Sequence, residues 1–157
     1  MRLKDRVAII TGGGQGIGKA IAMRFAQEGA SLMLAQRTLA KVEEAAKEIR
    51  SAGGKAIAMA VDIRDEGQVK QMVERTAKEF GGIDILVNNA AFYGGHGHRP
   101  WDSWTLEWWR NSFDINIVGG WQCAKAVAPY MRQRGKGKII NISTATVHQG
   151  YQGMLPY

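Results

Sequence analysis

Short apolar runs alternate with longer amphipathic stretches along this chain. Five runs contain mainly apolar residues and show no alternation with polar ones: Val7–Ile10, Ser31–Ala35, Ala56–Val61, Ile83–Val87 and Lys138–Ile142. Strands covered on both faces have this composition, whereas strands with one wet face alternate apolar and polar residues. The pattern therefore predicts strands of a parallel sheet.

Between these runs, apolar residues recur at the spacing of an α-helix. The first set, Ile17, Ile21 and Phe25, lies four residues apart and is followed by Gly29. Two further sets are followed by paired glycines, and a long helical region is predicted from about Ser103 to Arg134. The two sets are Leu39–Ile49 and Val69–Phe80. Strands that alternate with helices indicate right-handed crossovers and one doubly wound α/β domain over residues 1–157.

Composition and charge narrow the class of protein. Hydrophobic residues make up 45% of the 157 residues and charged residues 22%, which excludes a disordered chain. The net charge of +7 is scattered over several helices, so an anionic small ligand explains it better than nucleic acid. No apolar run reaches the length of about 18 residues that a membrane span needs, and no signal peptide is evident. The single cysteine, Cys123, fits a reducing compartment, so we expect a cytoplasmic protein.

A glycine-rich segment follows the first predicted strand and precedes the first helix. It reads Thr11-Gly12-Gly13-Gly14-Gln15-Gly16-Ile17-Gly18. Glycines at a strand-to-helix turn let backbone N–H groups and the helix N-terminus approach a phosphate without a Cβ in the way. The segment therefore predicts a site for the phosphates of a nucleotide.

The spacing Gly12-x-x-x-Gly16-x-Gly18 resembles the loop of the short-chain dehydrogenase/reductase family, and other motifs along the chain extend the resemblance. Asp62-Ile63 resembles the pair that contacts adenine, and Asn88-Asn89-Ala90-Ala91 resembles the family's Asn-Asn-Ala-Gly. Trp109 precedes Asn116 by seven residues, as a Trp often does in the family. Ala91 departs from the family's glycine, and we expect a slightly displaced loop there.

This resemblance implies a Rossmann-like sheet with strand order 3-2-1-4-5 and a nicotinamide cofactor across the carboxyl ends of strands 1 and 4. It also implies an oxidoreductase that transfers hydride between the cofactor and a small alcohol or ketone. The residues that the resemblance assigns to cofactor binding are Gly12, Gly14, Gln15, Gly16, Ile17, Gly18, Arg37, Asp62, Ile63, Asn89 and Ala90.

The end of the second strand bears on which cofactor binds. A carboxylate there would hydrogen-bond the ribose of NAD and repel a 2′-phosphate, whereas an arginine would bind the phosphate. The sequence has Ala35-Gln36-Arg37-Thr38 and no carboxylate, which favours NADP. Gln15 stands where a second basic residue is sometimes found, and Arg37 could also be an ordinary surface residue. NAD therefore stays open as the alternative.

The resemblance also implies a set of catalytic residues. Asn116 matches an Asn that supports a proton relay, and Tyr157 matches the acid/base, a phenol whose ordinary pKa is about 10. The family's Ser precedes this Tyr by 13 residues, which indicates Thr144, with Ser143 as the alternative if the loop shifts by one. The Lys of the family's Tyr-x-x-x-Lys would follow Tyr157.

Several other residues belong to types that can carry function. His96 and His98 have no neighbouring Cys or carboxylate in the sequence, so no metal site is expected. His148 could contact substrate, although a structural or solvent-exposed position is favoured. A cluster of tryptophans favours core packing or an oligomer interface, and Cys123 is expected to be buried. The cluster comprises Trp101, Trp104, Trp108 and Trp109.

Family members are longer than 157 residues, so we expect the C-terminal part of the family fold to be missing from this chain. Lys138–Ile142 would then be an apolar sheet edge, and the helix that packs beside Ser103–Arg134 in the family's dimer would be absent. Two function classes remain. One is an NADP-preferring oxidoreductase that forms a homo-oligomer at full length, and the other is a nucleotide-binding fragment without activity.

Overall fold

The computed structural model describes residues 1–93 and 100–145. All five strands run parallel in one sheet with the order β3-β2-β1-β4-β5. The strands are β1 (Val7–Thr11), β2 (Ser31–Gln36), β3 (Lys55–Ala60), β4 (Ile85–Asn88) and β5 (Lys138–Asn141). The predicted fold class and strand order are confirmed.

Helices follow the first four strands and lie on both faces of the sheet. The helices are α1 (Gly16–Gln27), α2 (Leu39–Ser51), α3 (Glu66–Phe80), α4 (Leu106–Phe113) and α5 (Gly120–Gln133). A 3₁₀ turn, Trp101–Ser103, precedes α4, and a π-helical segment, Asp114–Gly119, joins α4 to α5. The predicted helical region from Ser103 to Arg134 is therefore helical over most of its length but not uniformly α-helical.

Neighbouring residues of β1 point into two separate cores. Ile10 packs with residues of α1 and α2, including Ala22 and Val42. Ile9 lies on the other face, with residues of α3 and α5, including Met72. Because each face of the central strands is covered by helices, consecutive positions are all apolar, which explains the unbroken apolar runs.

The edge strand β5 differs from the central strands. Ile139 and Ile140 are 44% and 40% exposed, and the run also contains the polar residues Lys138 and Asn141. Within residues 1–93 and 100–145, β5 pairs only with β4. The expectation of an apolar sheet edge at Lys138–Ile142 matches this position.

A buried carboxylate fastens the amino ends of two central strands. Asp84 precedes β4 and is 5% exposed, and its Oδ2 accepts a hydrogen bond of 2.9 Å from the backbone N of Val7. Its Oδ1 lies 3.3 Å from Nη1 of Arg6 and 3.5 Å from Nε of Arg134. Two cations and a backbone donor thus satisfy an acid that would be costly to bury alone.

Among the residues that the structure describes, no helix combines the length and the apolar character needed to cross a membrane.

Candidate functional site

A cleft of about 840 Å³ opens at the carboxyl ends of the strands. Its walls come from the segments that follow each of the five strands. The lining residues are Gly12, Gln15–Ile17, Ala35–Thr38, Val61–Ile63, Asn89–Ala91, Tyr93, Ile115 and Ile142–Ala145. The order of the strands reverses between β1 and β4, which is where ligands bind in open parallel sheets.

Thr11 and Asn89 join the ends of β1 and β4 beneath this cleft. The Asn89 side-chain amide donates to the backbone oxygens of Thr11 at 3.0 Å and Gly12 at 3.2 Å. In return, the Thr11 hydroxyl accepts from the backbone N–H groups of Asn89 and Ala90, both at 3.1 Å, and donates to the Val87 oxygen at 3.3 Å. The floor of the cleft is therefore a closed hydrogen-bond network between two strands.

The glycine segment needs its glycines for conformation and for close approach. Gly12 has a φ of +67° and Gly16 a φ of +53°, which is a backbone region that side chains disfavour. A Cβ on Gly18 would collide with the Gly12 oxygen and lie 2.5 Å from Nδ2 of Asn89. Gly18 thus packs α1 against the cleft floor and does not itself line the cleft.

Helix α1 begins at Gly16 and points an uncapped N-terminus at the cleft. The N-cap residue Gln15 makes no side-chain capping hydrogen bond, and no acidic residue lies in the first turn. A Cβ on Gly16 would meet no atom within 4 Å, so the space beside this terminus is open. Free N–H groups and the helix dipole together make an anion site.

At the end of β2, Gln36 and Arg37 have different roles. The Gln36 carboxamide oxygen accepts a hydrogen bond of 3.2 Å from the backbone N of Gly14 and so holds the glycine segment against the end of β2. Arg37 lines the cleft, and its guanidinium makes no hydrogen bond or ion pair within the part of the chain that the structure describes. Its charge instead contributes to lowering the pKa of Asp62.

Asp62 and Ile63, after β3, line the next part of the cleft. Hydrogen bonds from Arg64, together with the charges of Arg64 and Arg37, hold the pKa of the Asp62 carboxyl below its usual value. Asp62 is therefore an anion at neutral pH that can accept a hydrogen bond from a ligand.

Ser143 and Thr144 follow β5, and both line the cleft. Thr144 is half-buried and Ser143 is exposed. Tyr157, the proposed acid/base, lies outside the described residues, as do His96, His98 and His148.

Asn116 lies near the cleft but does not line it, whereas its neighbour Ile115 does. The Asn116 carboxamide oxygen accepts from the backbone N of Phe92 at 2.7 Å, and its Nδ2 donates to Ser112 Oγ at 3.2 Å. Asn116 belongs to the π-helical segment, and such segments are frequent at functional sites. In this structure it connects the loop after β4 to α4.

The predicted tryptophan cluster divides into two groups. Trp104 is buried and meets Trp108 edge-on with ring centroids 5.4 Å apart, and Trp108 lies 5.0 Å from the ring of Phe92. Trp101 and Trp109 are exposed, at 77% and 41%. Core packing thus accounts for two of the four rings.

Cys123 is buried, and burial raises the pKa of its thiol to about 12. The thiol is therefore protonated at neutral pH and is a poor nucleophile. Within residues 1–93 and 100–145, no three His, Cys, Asp or Glu side chains group closely enough to hold a metal ion.

Three contributions to the site were not predicted from the sequence. They are the Thr11 hydroxyl in the floor, the Gln36 contact to the glycine segment, and Arg64 beside Asp62. Thr11 and Gln36 flank motifs that the sequence singled out, so position was the available signal. For Arg64 the signal was its spacing of two residues from Asp62, which suits a local turn.

Comparisons with known proteins agree with this fold. The solved structure of an NAD⁺-bound xylitol dehydrogenase superposes with a TM-score of 0.94 at 28% identity, covering 100% of this chain and 60% of that one. An uncharacterised oxidoreductase of Thermotoga maritima is 37% identical over 99% of this chain and 59% of its own length. Galactitol 2-dehydrogenase of Agrobacterium fabrum is 40% identical over 96% of this chain and 57% of its own length.

The chain therefore spans about three fifths of these relatives, with coverage of 59% and 57%. The family model described as short chain dehydrogenase matches residues 6–157, which includes every strand of the sheet and the whole cleft lining. On this match, the chain belongs to the short chain dehydrogenase family.

Proposed function

We propose that the chain binds NADP(H) in the cleft and belongs to an oxidoreductase that acts on a small alcohol or ketone. One observation carries the proposal. The same cleft contains the uncapped N-terminus of α1 and the guanidinium of Arg37, which has no hydrogen-bonding partner among the described residues. These two features suit the pyrophosphate and the 2′-phosphate of one ligand.

The residues present fit such a cofactor. The open space beside Gly16 admits a pyrophosphate against the backbone of Gln15–Ile17. Arg37 is proposed to hold the ribose phosphate, and Asp62 with Ile63 to hold the adenine. Asn89 and Ala90 are proposed to contact the cofactor from the floor, while Gly12, Gly14 and Gly18 shape the glycine segment.

When bound, the nicotinamide would supply or accept the hydride. The carbonyl oxygen of the substrate then needs a hydrogen-bond donor and a proton. We assign the donor to the hydroxyl of Thr144, with Ser143 as the alternative, and the proton transfer to Tyr157. Asn116 is assigned to support the proton relay, and its bond to the backbone of Phe92 would fix the position of the relay.

The substrate class is proposed from the relatives and from the chemistry of the site. Galactitol 2-dehydrogenase and xylitol dehydrogenase are named for polyols, so polyols and the matching ketoses form the first panel of substrates to test. Oxidation of each polyol with NADP⁺ is followed through the absorbance of the reduced nicotinamide. A chain that binds NADPH but reacts with no member of a broad alcohol and ketone panel would favour the binding-only alternative.

The cofactor preference is tested by direct titration. NADPH and NADH are titrated against the wild type and against Arg37→Ala, with binding followed by calorimetry. We expect the wild type to favour NADPH and the variant to lose most of that preference, by about 1.5–3 kcal/mol, because a charge-assisted hydrogen bond is removed. The same preference in both proteins would exclude Arg37 as the residue that recognises the phosphate, and a wild type that prefers NADH would favour NAD as the cofactor.

We also propose that the protein forms a homo-oligomer through an exposed apolar stripe. The stripe consists of Leu106, Trp109, Phe113, Ile117 and Trp121, at successive spacings of three or four residues along α4, the π-helical segment and α5. Four of the five side chains are more than half exposed. A contiguous apolar surface of this kind usually marks an interface.

A further inference from the structure

A second basic residue, Lys41 on α2, lies beside the end of the cleft that is proposed to hold the ribose phosphate. The glycine segment lies against the first turn of α2: a Cβ on Gly14 would be 2.8 Å from the backbone carbon of Lys41 and 2.9 Å from the backbone N of Val42. Lys41 is the third residue of α2, which begins just after Arg37 and Thr38. Packing therefore brings α2 beside two segments that line the cleft.

The ammonium of Lys41 forms a hydrogen bond with a residue that lines the cleft. Its Nζ donates a hydrogen bond of 2.5 Å to the carboxamide oxygen of Gln15, a residue that lines the cleft. In the part of the chain that the structure describes, Lys41 forms no ion pair with a carboxylate. Its charge is thus held beside the cleft by a neutral group and is not neutralised.

Two acidic side chains of α2 are engaged with other cations, whereas Glu44 on the same helix forms no ion pair among the described residues. Glu43 pairs with Arg50, and Glu48 pairs with Lys19 at 2.6 Å. The first turn of α2 contains no acidic residue, and its N-cap Thr38 makes no side-chain capping hydrogen bond. The first turn of α2 therefore adds the positive charge of Lys41 and of the helix N-terminus to that of Arg37, while Asp62 is the anion that lines the same cleft.

We propose that Lys41 is the second cation of the 2′-phosphate site and acts with Arg37 to set the preference for NADP(H). The sequence places the neutral Gln15 in the glycine segment, and Lys41 reaches the same place from α2. Gln15 then acts as the positioning residue for the ammonium. This inference rests on the proposed function, because it concerns the cofactor that the proposed function assigns to the cleft.

The test uses two fragments of the cofactor that lack nicotinamide, adenosine 2′,5′-bisphosphate and adenosine 5′-monophosphate. Their affinities are measured by calorimetry for the wild type, Lys41→Gln and Lys41→Arg. Lys47→Gln is the matched control, because Lys47 lies on the same helix, about 9 Å further along it, and also forms no ion pair within the described residues.

We expect Lys41→Gln to lower the ratio of the two affinities by about threefold to tenfold, and Lys41→Arg to preserve it. Lys47→Gln should leave the ratio unchanged. Rising salt should reduce the ratio more steeply in the wild type than in Lys41→Gln, because one fewer charge is screened in the variant. Arg37→Ala is measured in the same way, and thermal unfolding checks that all five proteins are equally folded.

The possible failures are distinguishable. If the wild type binds both fragments equally, the assignment of NADP(H) fails and the role of Lys41 fails with it. If the wild type prefers the bisphosphate and Arg37→Ala abolishes that preference while Lys41→Gln matches Lys47→Gln, NADP(H) stands and the role of Lys41 is overturned.

Discussion

The guanidinium of Arg64 binds the carboxylate of Asp62 through two nitrogens. Nε lies 3.0 Å from Oδ1 and Nη2 lies 2.6 Å from Oδ2, while the Arg64 backbone N also donates to Oδ1 at 3.0 Å. Nη1 reaches Oδ1 of Asn111, on α4, at 3.2 Å. The cleft residue Asp62 is therefore oriented by an arginine that is itself hydrogen-bonded to α4.

Replacing Arg64 should change the titration of Asp62. Arg64→Met removes the hydrogen bonds and the charge that lower the Asp62 pKa, so we expect this pKa to rise toward its ordinary value of 3.8. Carbon-13 NMR of the labelled carboxyl group measures the change. An unchanged Asp62 titration in the variant would contradict the assigned cause.

The same pair makes a small contribution to stability that depends on pH. Because the folded-state pKa of Asp62 is depressed, the contribution is present above the ordinary pKa of 3.8 and is lost as the pH falls through the folded value. We expect Arg64→Met to lower the free energy of unfolding by about 0.2–1 kcal/mol at neutral pH, since the pair is partly exposed. The two proteins should converge in acid, and a difference that persists there would point to lost packing. Lys70→Met, at the exposed Lys70–Glu74 pair, is the control.

Gly18 should tolerate no side chain. Gly18→Ala places a methyl group against the Gly12 oxygen and the Asn89 amide, so we expect a loss of about 1–3 kcal/mol in the free energy of unfolding together with weaker nucleotide binding. Gly120→Ala is the matched control, because Gly120 is helical and its nearest contact would be 3.6 Å away. That change should stabilise the protein by about 0.4–1 kcal/mol. Denaturant unfolding measures both, and equal effects would contradict the close approach at Gly18.

The buried acid Asp84 should matter for stability. Asp84→Asn keeps the shape but removes the attraction to Arg6 and Arg134, and we expect a loss of about 1–3 kcal/mol in the free energy of unfolding. Glu74→Gln, at an exposed pair of 3.8 Å, should cost less than about 0.5 kcal/mol. Urea unfolding at neutral pH compares the two variants. If Asp84→Asn lowers the free energy of unfolding by no more than Glu74→Gln, the contacts of Asp84 with Arg6 and Arg134 do not stabilise the fold.

The catalytic assignment predicts an order of effects. Tyr157→Phe removes the group that accepts the proton of the alcohol and should cost on the order of 10²–10⁴ in the rate of alcohol oxidation. Thr144→Ala should cost more than Ser143→Ala, which serves as its matched control because both hydroxyls line the cleft. Steady-state kinetics on an active polyol measures all three. The reverse order for the two hydroxyls would move the assignment to Ser143.

The apolar stripe predicts a change in assembly. Phe113→Glu combined with Trp121→Glu puts two charges on the stripe, and we expect the oligomer to dissociate, because burying an unpaired charge is costly. Trp101→Glu is the control, since Trp101 is 77% exposed and lies outside the stripe. Sedimentation velocity measures the mass. A wild-type protein that is monomeric at high concentration would contradict the proposed homo-oligomer.

The positions of the central strands and of the cleft could be predicted from local signals, whereas the strand order followed from the resemblance to the short-chain dehydrogenase/reductase family. Apolar runs mark the central strands, and the glycine segment marks the turn above β1. The start of β4 could not be predicted in this way, because the predicted run Ile83–Val87 includes Asp84, whereas the strand begins at Ile85. Asp84 is an acid whose burial depends on its contacts with Val7, Arg6 and Arg134. Val7, Arg6 and Arg134 are far from Asp84 in the sequence, so a local pattern of residues does not indicate these contacts.

The π-helical segment and the position of Lys41 escaped prediction for related reasons. Asp114–Gly119 keeps an apolar periodicity close to that of an α-helix, so the pattern does not distinguish the two. Lys41 looks like an ordinary residue on the exposed face of α2. Its contact with Gln15, 26 positions earlier, exists only once β1 and β2 have paired.

The hydrogen bonds between Thr11 and Asn89 also affect the entropy of ligand binding in the cleft. The side chains of Thr11 and Asn89 already pair with the backbone of the opposite segment, so this part of the floor is held in place before any ligand arrives. A ligand then loses its own freedom on binding but imposes little new order on the protein. The conformational entropy of binding should therefore be concentrated in the ligand and in long side chains such as Arg37.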